Sequence, residues 1–213
     1  MTLSAVVLAD SVVRLEPLST AHADAMRAAL EVSRESFGFT TVPIAESVDD
    51  YIAARLAQTA TGAHLSFVQF DQASGLLVGH TSYTNARDWP GRTRLMAVEV
   101  GHTWLIPAAQ GAAINSAAKL LLFTHAFETL GALRLELKTD ARNARSRAGI
   151  AAVGASFEGI LRNWQPSAVP GEEELLRDTA MFSITAAEWP KVKAALVARV
   201  AAKLARGPRP SES

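Results

Sequence analysis

The chain has 213 residues, 49% of them hydrophobic and 20% charged, which is enough for one large domain of ordinary globular composition. Lysine plus arginine and aspartate plus glutamate both number 21, so there is no overall cation surplus to displace counterions from a nucleic acid. The absence of cysteine removes disulfides, thiolate metal sites and a cysteine nucleophile together, and is compatible with a reducing cytoplasm.

No run approaches the roughly 18 apolar residues of a membrane span. Met1 to Ala9 is apolar but short, lacks a basic start and runs into Asp10, unlike a secretion signal. Residues 207–213 have the composition of a disordered tail, so a single domain is expected over 1–206.

Val12 to Leu18 alternates apolar and polar residues and reads as a strand, with Pro17 at its end or on a sheet edge. Ser19 is placed to cap a helix running to about Arg34, and Ser47-Val48-Asp49-Asp50 resembles a capping box for a second. Leu65–Phe70 and Leu76–Tyr83 are strand-like runs joined by a turn-rich hairpin loop. Leu95–Ile106 is a long strand stopped by Pro107, and Gly101 inside it marks a candidate bulge. From Gln110 to Leu130 apolar residues recur at helical spacing, with Gly131 as the stop. Leu133–Lys138 alternates again, Asn143–Val153 is a short helix ended by Gly154, and Ser156–Arg162 and Leu175–Ile184 are strands. Thr185 and Glu188 form a second capping box, opening a helix whose stripe of Trp189, Val192, Leu196, Val200 and Leu204 packs on its own domain or on a second copy in a homodimer.

The expected architecture is therefore mixed α/β with an antiparallel first half and one strand–helix–strand crossover, residues 95–138. A ligand belongs where that helix begins after the strand's C-terminal end. Residues 107–115 occupy this junction. Gly111, Ala112 and Ala113 let an anion approach the backbone, and successive amides at a helix start point the same way and carry the positive end of the helix dipole. That combination suits a diphosphate without a metal, although small residues there also suit close packing. The spacing of a P-loop or of a dinucleotide-binding turn is absent.

Glu99-Val100-Gly101-His102-Thr103-Trp104-Leu105, then Gln110-Gly111-Ala112-Ala113, then Lys119-Leu120-Leu121-Leu122 with His125-Ala126-Phe127-Glu128, together resemble the GCN5-related N-acetyltransferase (GNAT) family. The nearest resemblance is to its ribosomal-protein N-terminal acetyltransferase branch. Asn143-Ala144-Arg145-Ser146, Gly154 to Arg162, Arg177-Asp178 and Ser183-Ile184 continue it, over about residues 12–200 in the same element order.

The resemblance implies a mostly antiparallel sheet flanked by helices, with acetyl-CoA wedged between two strands that splay after a bulge, and an additional C-terminal helix. Trp104, Leu105 and Ile106 would contact the pantetheine arm through their main chain. Gln110, Gly111, Ala112, Ala113 and Ile114 would cradle the pyrophosphate, with Ala108 standing where the family often has Gln or Arg. Asn143 would bond the pantetheine amides or act as an N-cap, and Ser146 would lie near the thioester sulfur and protonate the leaving thiolate. Glu99 is the first candidate for the base that takes the ammonium proton, against an outward-facing Glu paired with an Arg such as Arg94. His102 is a substrate wall or second base, opposite to Glu99 by alternation unless a bulge intervenes, and His125 a hydrogen-bonded core histidine. Gln165, near where some relatives place a carboxylate, cannot accept a proton.

The implied activity is direct acetyl transfer from acetyl-CoA to a primary amine, a protein N-terminus or a small molecule, in a ternary complex without metal, nucleic acid or membrane. The alternative is a silent acyl-CoA-binding module that acts as a sensor. Charge neutrality disfavours a strongly cationic acceptor, whereas Glu172, Glu173 and Glu174 in a row offer an amine lure or a solvated turn.

Overall fold

The computed structural model describes residues 3–32 and 34–206, and the tail expected at 207–213 lies outside the described residues. Strands β1 (Leu8–Ala9), β2 (Val13–Pro17), β3 (Leu65–Asp71), β4 (Leu77–Asp88), β5 (Leu95–Leu105), β6 (Arg134–Asp140), β7 (Ser156–Pro166) and β8 (Leu176–Thr185) form one sheet. Its order is β1-β2-β3-β4-β5-β6-β8-β7. Only β5 and β6 pair in parallel among the described strands, and α3 (Ile114–Thr124) bridges them. The mixed, mostly antiparallel sheet expected from the sequence is present. The two-residue β1 is an addition that its length kept below any period-2 signal.

Each face of the sheet has its own core. On one, α3, α4 (Ala144–Ala152) and α5 (Trp189–Arg206) cover the strands, with Leu135, Leu137, Leu122, Phe182, Ile150 and Leu196 buried together. On the other, α1 (Ala23–Leu30) and α2 (Val48–Thr59) bury Met26, Leu30 and Ile52 against Val68 and Trp104. Alternation along β6 sends Leu135 and Leu137 to the α3 face and hence Glu136 and Lys138 to the α2 face.

Several elements differ from expectation for identifiable reasons. Helix α1 stops at Leu30, because Glu31 leaves the helical region at ψ 55°. Beyond it, the Arg34 guanidinium binds the carbonyls of Val42 and Pro43. Ser47 gives α2 no side-chain cap, since its hydroxyl turns back to Ile44 and closes the 3-10 turn before the helix. Helix α3 begins at Ile114 rather than Gln110: Pro107–Ala109 form a 3-10 turn, and Gly111 at φ 78° breaks the run. The alanines around Gly111 are strong helix formers, and this masked the break. On α5 the stripe packs through Trp189, Leu196 and Val200 into the molecule's own core, whereas Leu204 is 51% exposed.

Candidate active site

Strands β5 and β6 pair only through Val98 with Leu135 and Glu99 with Glu136. Beyond that point they separate, and a cleft of about 1180 Å³ opens between them. Its walls come from β5, β6, β7, β8, the α3 start, α4, α5, α2 and the segment around Phe37.

The bulge that accompanies the separation is centred on His102, not on Gly101. Against β4, His80 faces Trp104 while Ser82 faces Gly101, so two residues of β5 oppose one of β4. His102 takes up the strain at φ 49°. The extra residue returns the His102 side chain to the α2 face, where its ring meets Arg55. Glu99 shares that face, since it contacts Lys138.

Glu99 is 4% exposed. Its Oε2 accepts from Asn85 Nδ2 at 2.8 Å and lies 3.0 Å from Lys138 Nζ. Its partner is thus Lys138 and not Arg94, whose guanidinium lies over the Trp89 ring. Oε1 stands over Gly101, where a Cβ would approach it to 3.0 Å. No described residue donates a hydrogen bond to that oxygen.

His102 is a poor proton acceptor. Desolvation within the cleft, reinforced by the Arg55 cation, pushes its pKa down to about 2, although solvent still reaches more than a third of the residue. Its Nδ1 lies 2.8 Å from Arg55 Nη1, which can only donate, so the neutral ring keeps its proton on Nε2. His80 and His64, beside it, are buried and are lowered by that burial to about 3 and about 4. His125 bonds Tyr83 Oη through Nδ1 at 3.3 Å, as a core histidine should.

At the other end of the cleft the chain turns into α3. The N–H of Ala109 is taken by Ile106 and that of Gln110 by Pro107, and the next helical donor is Ala117, bonded to Ala113. Between them the amides of Gly111, Ala112, Ala113, Ile114, Asn115 and Ser116 donate to no described residue. The carbonyls of Gly111 and Ala112 accept instead from Lys203 Nζ of α5, at 3.2 and 2.8 Å. Gln110 departs from expectation. Its side chain donates to Leu105 O and Ser36 Oγ and accepts from Arg145, so it braces the turn and the cradle starts at Gly111.

The main-chain contacts expected of three residues reduce to one. Ile106 N–H bonds Val78 O, and by the alternation of an antiparallel ladder Trp104 faces β4 as well. Leu105 alone of the three turns its peptide to the cleft, and since its carbonyl already accepts from Gln110, its N–H is the open group. Asn143 caps α4 through Oδ1, which accepts from Ser146 N at 3.0 Å. Its Nδ2 has no partner among the described residues, so capping leaves that donor for a ligand. Ser146 lines the same wall.

Several cleft residues escaped the sequence reading. Lys119, 6% exposed, donates to Thr103 Oγ1 at 2.8 Å, and its burial lowers its pKa to about 7. Its signal was a lysine next to Ala118 on the apolar side of a helix. Arg55, Arg177, Arg199, Lys203 and Arg206 also line the cleft. Among the described residues the lining holds eight lysines and arginines and one carboxylate, Glu99. The Glu172 lure is already occupied, since Arg142 and Ser167 hold its carboxylate.

A bulged strand diverging from its parallel neighbour, free amides at the following helix start and a strongly cationic cleft define a site for a polyanionic acyl carrier. The chain belongs to the GNAT acetyltransferases: residues 13–156 match the family's acetyltransferase (GNAT) domain. It is similar to a GCN5-related N-acetyltransferase from Brucella melitensis, at 26% identity over 94% of this chain and 87% of that one, with a TM-score of 0.79. An acetyltransferase from T. thermophilus shares 30% identity over 93% and 99% of the two chains, TM-score 0.76. Mycobacterium smegmatis RimJ, solved with a CoA disulfide, shares 25% over 93% and 94%, TM-score 0.73. No curated protein matches the chain. The protein is an N-acetyltransferase that uses acetyl-CoA. No described helix is long and apolar enough to cross a membrane.

Proposed function

We propose that the enzyme transfers the acetyl group directly to a primary amine, a protein N-terminus or a small molecule, with both substrates bound at once. The observation that carries this reading is the set of open amides from Gly111 to Ser116, of which those of Gly111, Ala112, Asn115 and Ser116 belong to residues lining the same cleft as Glu99. The amides and the α3 dipole hold the diphosphate of acetyl-CoA, with Lys203 and Arg199 of α5 adding positive charge beside them. Asn143 Nδ2 and the Leu105 peptide orient the arm that leads to the thioester. Ala112, Ala113 and Ile114 contribute backbone to the cradle, while the side chain of Ile114 is buried in the core.

An amine arrives mostly as its ammonium and must lose a proton before it attacks. Glu99 Oε1 takes that proton, directly or through a water, while Lys138 and Asn85 fix the other oxygen. The amine nitrogen then bonds to the thioester carbonyl carbon, and a peptide N–H of the bulged strand stabilises the charge that develops on oxygen. The carbon–sulfur bond breaks, Ser146 gives its hydroxyl proton to the departing thiolate, and the acylated nitrogen sheds its second proton, which returns to Ser146 through a water. His102 serves as a wall of the acceptor site. Alignment of the two substrates supplies much of the acceleration.

The test combines calorimetric titration of CoA with thiol release from acetyl-CoA across a panel of amines. Saturable CoA binding and turnover on at least one amine are expected. Tight CoA binding without turnover on any amine would instead favour a silent acyl-CoA sensor.

A further inference from the structure

Several guanidinium groups outside the cleft have carboxylate partners: Arg87 has Glu136, Arg134 has Glu136 and Glu158, and Arg142 has Asp140 and Glu172. Of the five that line the cleft none is paired with a carboxylate among the described residues, and two of these, Arg177 and Arg55, lie on its acceptor side. Arg177 of β8 is 9% exposed, and its Nε has no hydrogen-bond partner. The charges of Asp140 and Glu99 reach it, yet both oxygens of Asp140 are held by Arg142 and Glu99 is held by Lys138. Arg55 of α2, half-buried, lies over the Tyr51 ring and donates to the neutral Gln58 Oε1 and His102 Nδ1, and its Nε is also buried without a partner.

Both side chains belong to the acceptor half of the cleft. Phe182 and Ala180 of β8 are buried in the α3-face core, so alternation sends Arg177 to the opposite face, the one that carries Lys138 and Glu99. Arg55 reaches the same face from α2. A buried cation without a counter-ion is costly, and the usual resolution is an anion that arrives with a ligand.

We propose that the acceptor is an amine bearing a carboxylate, and that Arg177, with Arg55 on the α2 wall, receives the carboxylate while the amine faces Glu99. A flat guanidinium fork matches a carboxylate in bidentate fashion. A zwitterion also balances this half of the cleft: its anion meets the unpaired guanidinium groups and its ammonium meets the single acid. A phosphate dianion would add repulsion against Glu99. The carboxylate has two sources, the α-carboxylate of a free amino acid and an acidic side chain near the start of a peptide. The proposal rests on the acetyl-transfer reading above.

The experiment compares kcat/KM for free amino acids against their amides, and for peptides with an acidic residue at position one or two against neutral peptides. Within one of these pairs the carboxylate-bearing member is expected to lead by about 10- to 100-fold, as charge-assisted bonds usually give, and the responding pair identifies the source. In Arg177→Gln that ratio falls toward one, through KM rather than kcat, and Arg177→Lys restores part of it. Equal rates within both pairs, or a ratio that Arg177→Gln leaves unchanged, would overturn the proposal. A binding arm stands apart from turnover: calorimetry of N-acetyl amino acids and their amides, and of N-acetylated acidic and neutral peptides, onto the CoA-bound protein. The carboxylate preference and its loss in Arg177→Gln are expected there too. If they appear without turnover of any amine, the transfer reading fails while the Arg177 assignment stands; if no preference appears, the assignment fails.

Discussion

The two ends of the cleft are built from different parts of the polypeptide. At the start of α3 the working groups are peptide amides, left open because Pro107 and Gly111 delay the helix until Ile114. Around the β5 bulge they are side chains: Glu99 held by Lys138 of β6 and Asn85 of β4, and His102 held by Arg55 of α2. The first end depends on one short segment, so it tolerates changes of side chain but not of backbone conformation. The second depends on charged and polar side chains converging from four elements, so single side-chain replacements should be felt strongly there.

Substitutions separate the two ends, with the largest effect at Glu99. Glu99→Gln keeps the size and the Asn85 contact but removes the base, and kcat should fall by about 10²- to 10⁴-fold. Calorimetry should show CoA affinity unchanged, because the diphosphate seat is remote from this residue. Gly111→Val is the mirror experiment. A β-branched residue at φ 78° costs on the order of 1–3 kcal/mol and tilts the amides, so CoA binding should weaken by about tenfold or more. The acceptor KM should move little. A Gly111→Val protein with wild-type CoA affinity would remove the loop assignment.

Asn143 sharpens the comparison, because it combines a structural acceptor with an open donor. Asn143→Ala should lose roughly 1 kcal/mol of stability with its cap, whereas Asn143→Asp should keep the cap. Both remove Nδ2, and both should weaken CoA binding. If Asn143→Asp binds CoA as tightly as the wild type, Asn143 is a cap only.

The smallest effect is on stability against pH. Burial depresses Lys119 to about 7 from 10.5, so between these values the unfolded chain binds a proton that the folded one does not. Stability therefore rises with pH across that window, by up to about 1.4 kcal/mol per pH unit from this group. Lys119→Met should flatten this rise and raise the melting temperature at pH 7. His64 and His80 act in the same sense lower down: their stabilising neutrality is complete above pH 6.5, and stability falls as the pH drops toward about 4 and about 3. Thermal melts of the wild type and Lys119→Met from pH 4 to 10 test both windows.

Local signals made much of this fold legible in the sequence. The β3–β4 hairpin and the β5–α3–β6 crossover rest on element patterns of about a dozen residues each, and both are present. The Thr185–Glu188 box is made by half: Glu188 accepts from Thr185 N–H, but the Thr185 hydroxyl also donates to that carboxylate and α5 begins only at Trp189. The open turn proposed as the diphosphate seat was legible as a turn from the same kind of local pattern, although the alanines around Gly111 hid the delayed start of the helix. The acceptor half was not. Arg55 and Arg177 are 122 positions apart, and neither sits in a motif that marks it as lacking a counter-ion. Zero net charge concealed the cationic cleft because the carboxylates that balance it lie elsewhere on the molecule. The position of the bulge also depended on pairing with β4, which placed the left-handed residue at His102 instead of the glycine before it.

Amide hydrogen exchange, read residue by residue with and without CoA, bears most directly on the diphosphate seat. In the free protein the N–H groups of residues 111–116 should exchange quickly beside a protected α3 interior, and CoA should slow them selectively. Amides already protected without ligand, or unaffected by saturating CoA, would contradict the account.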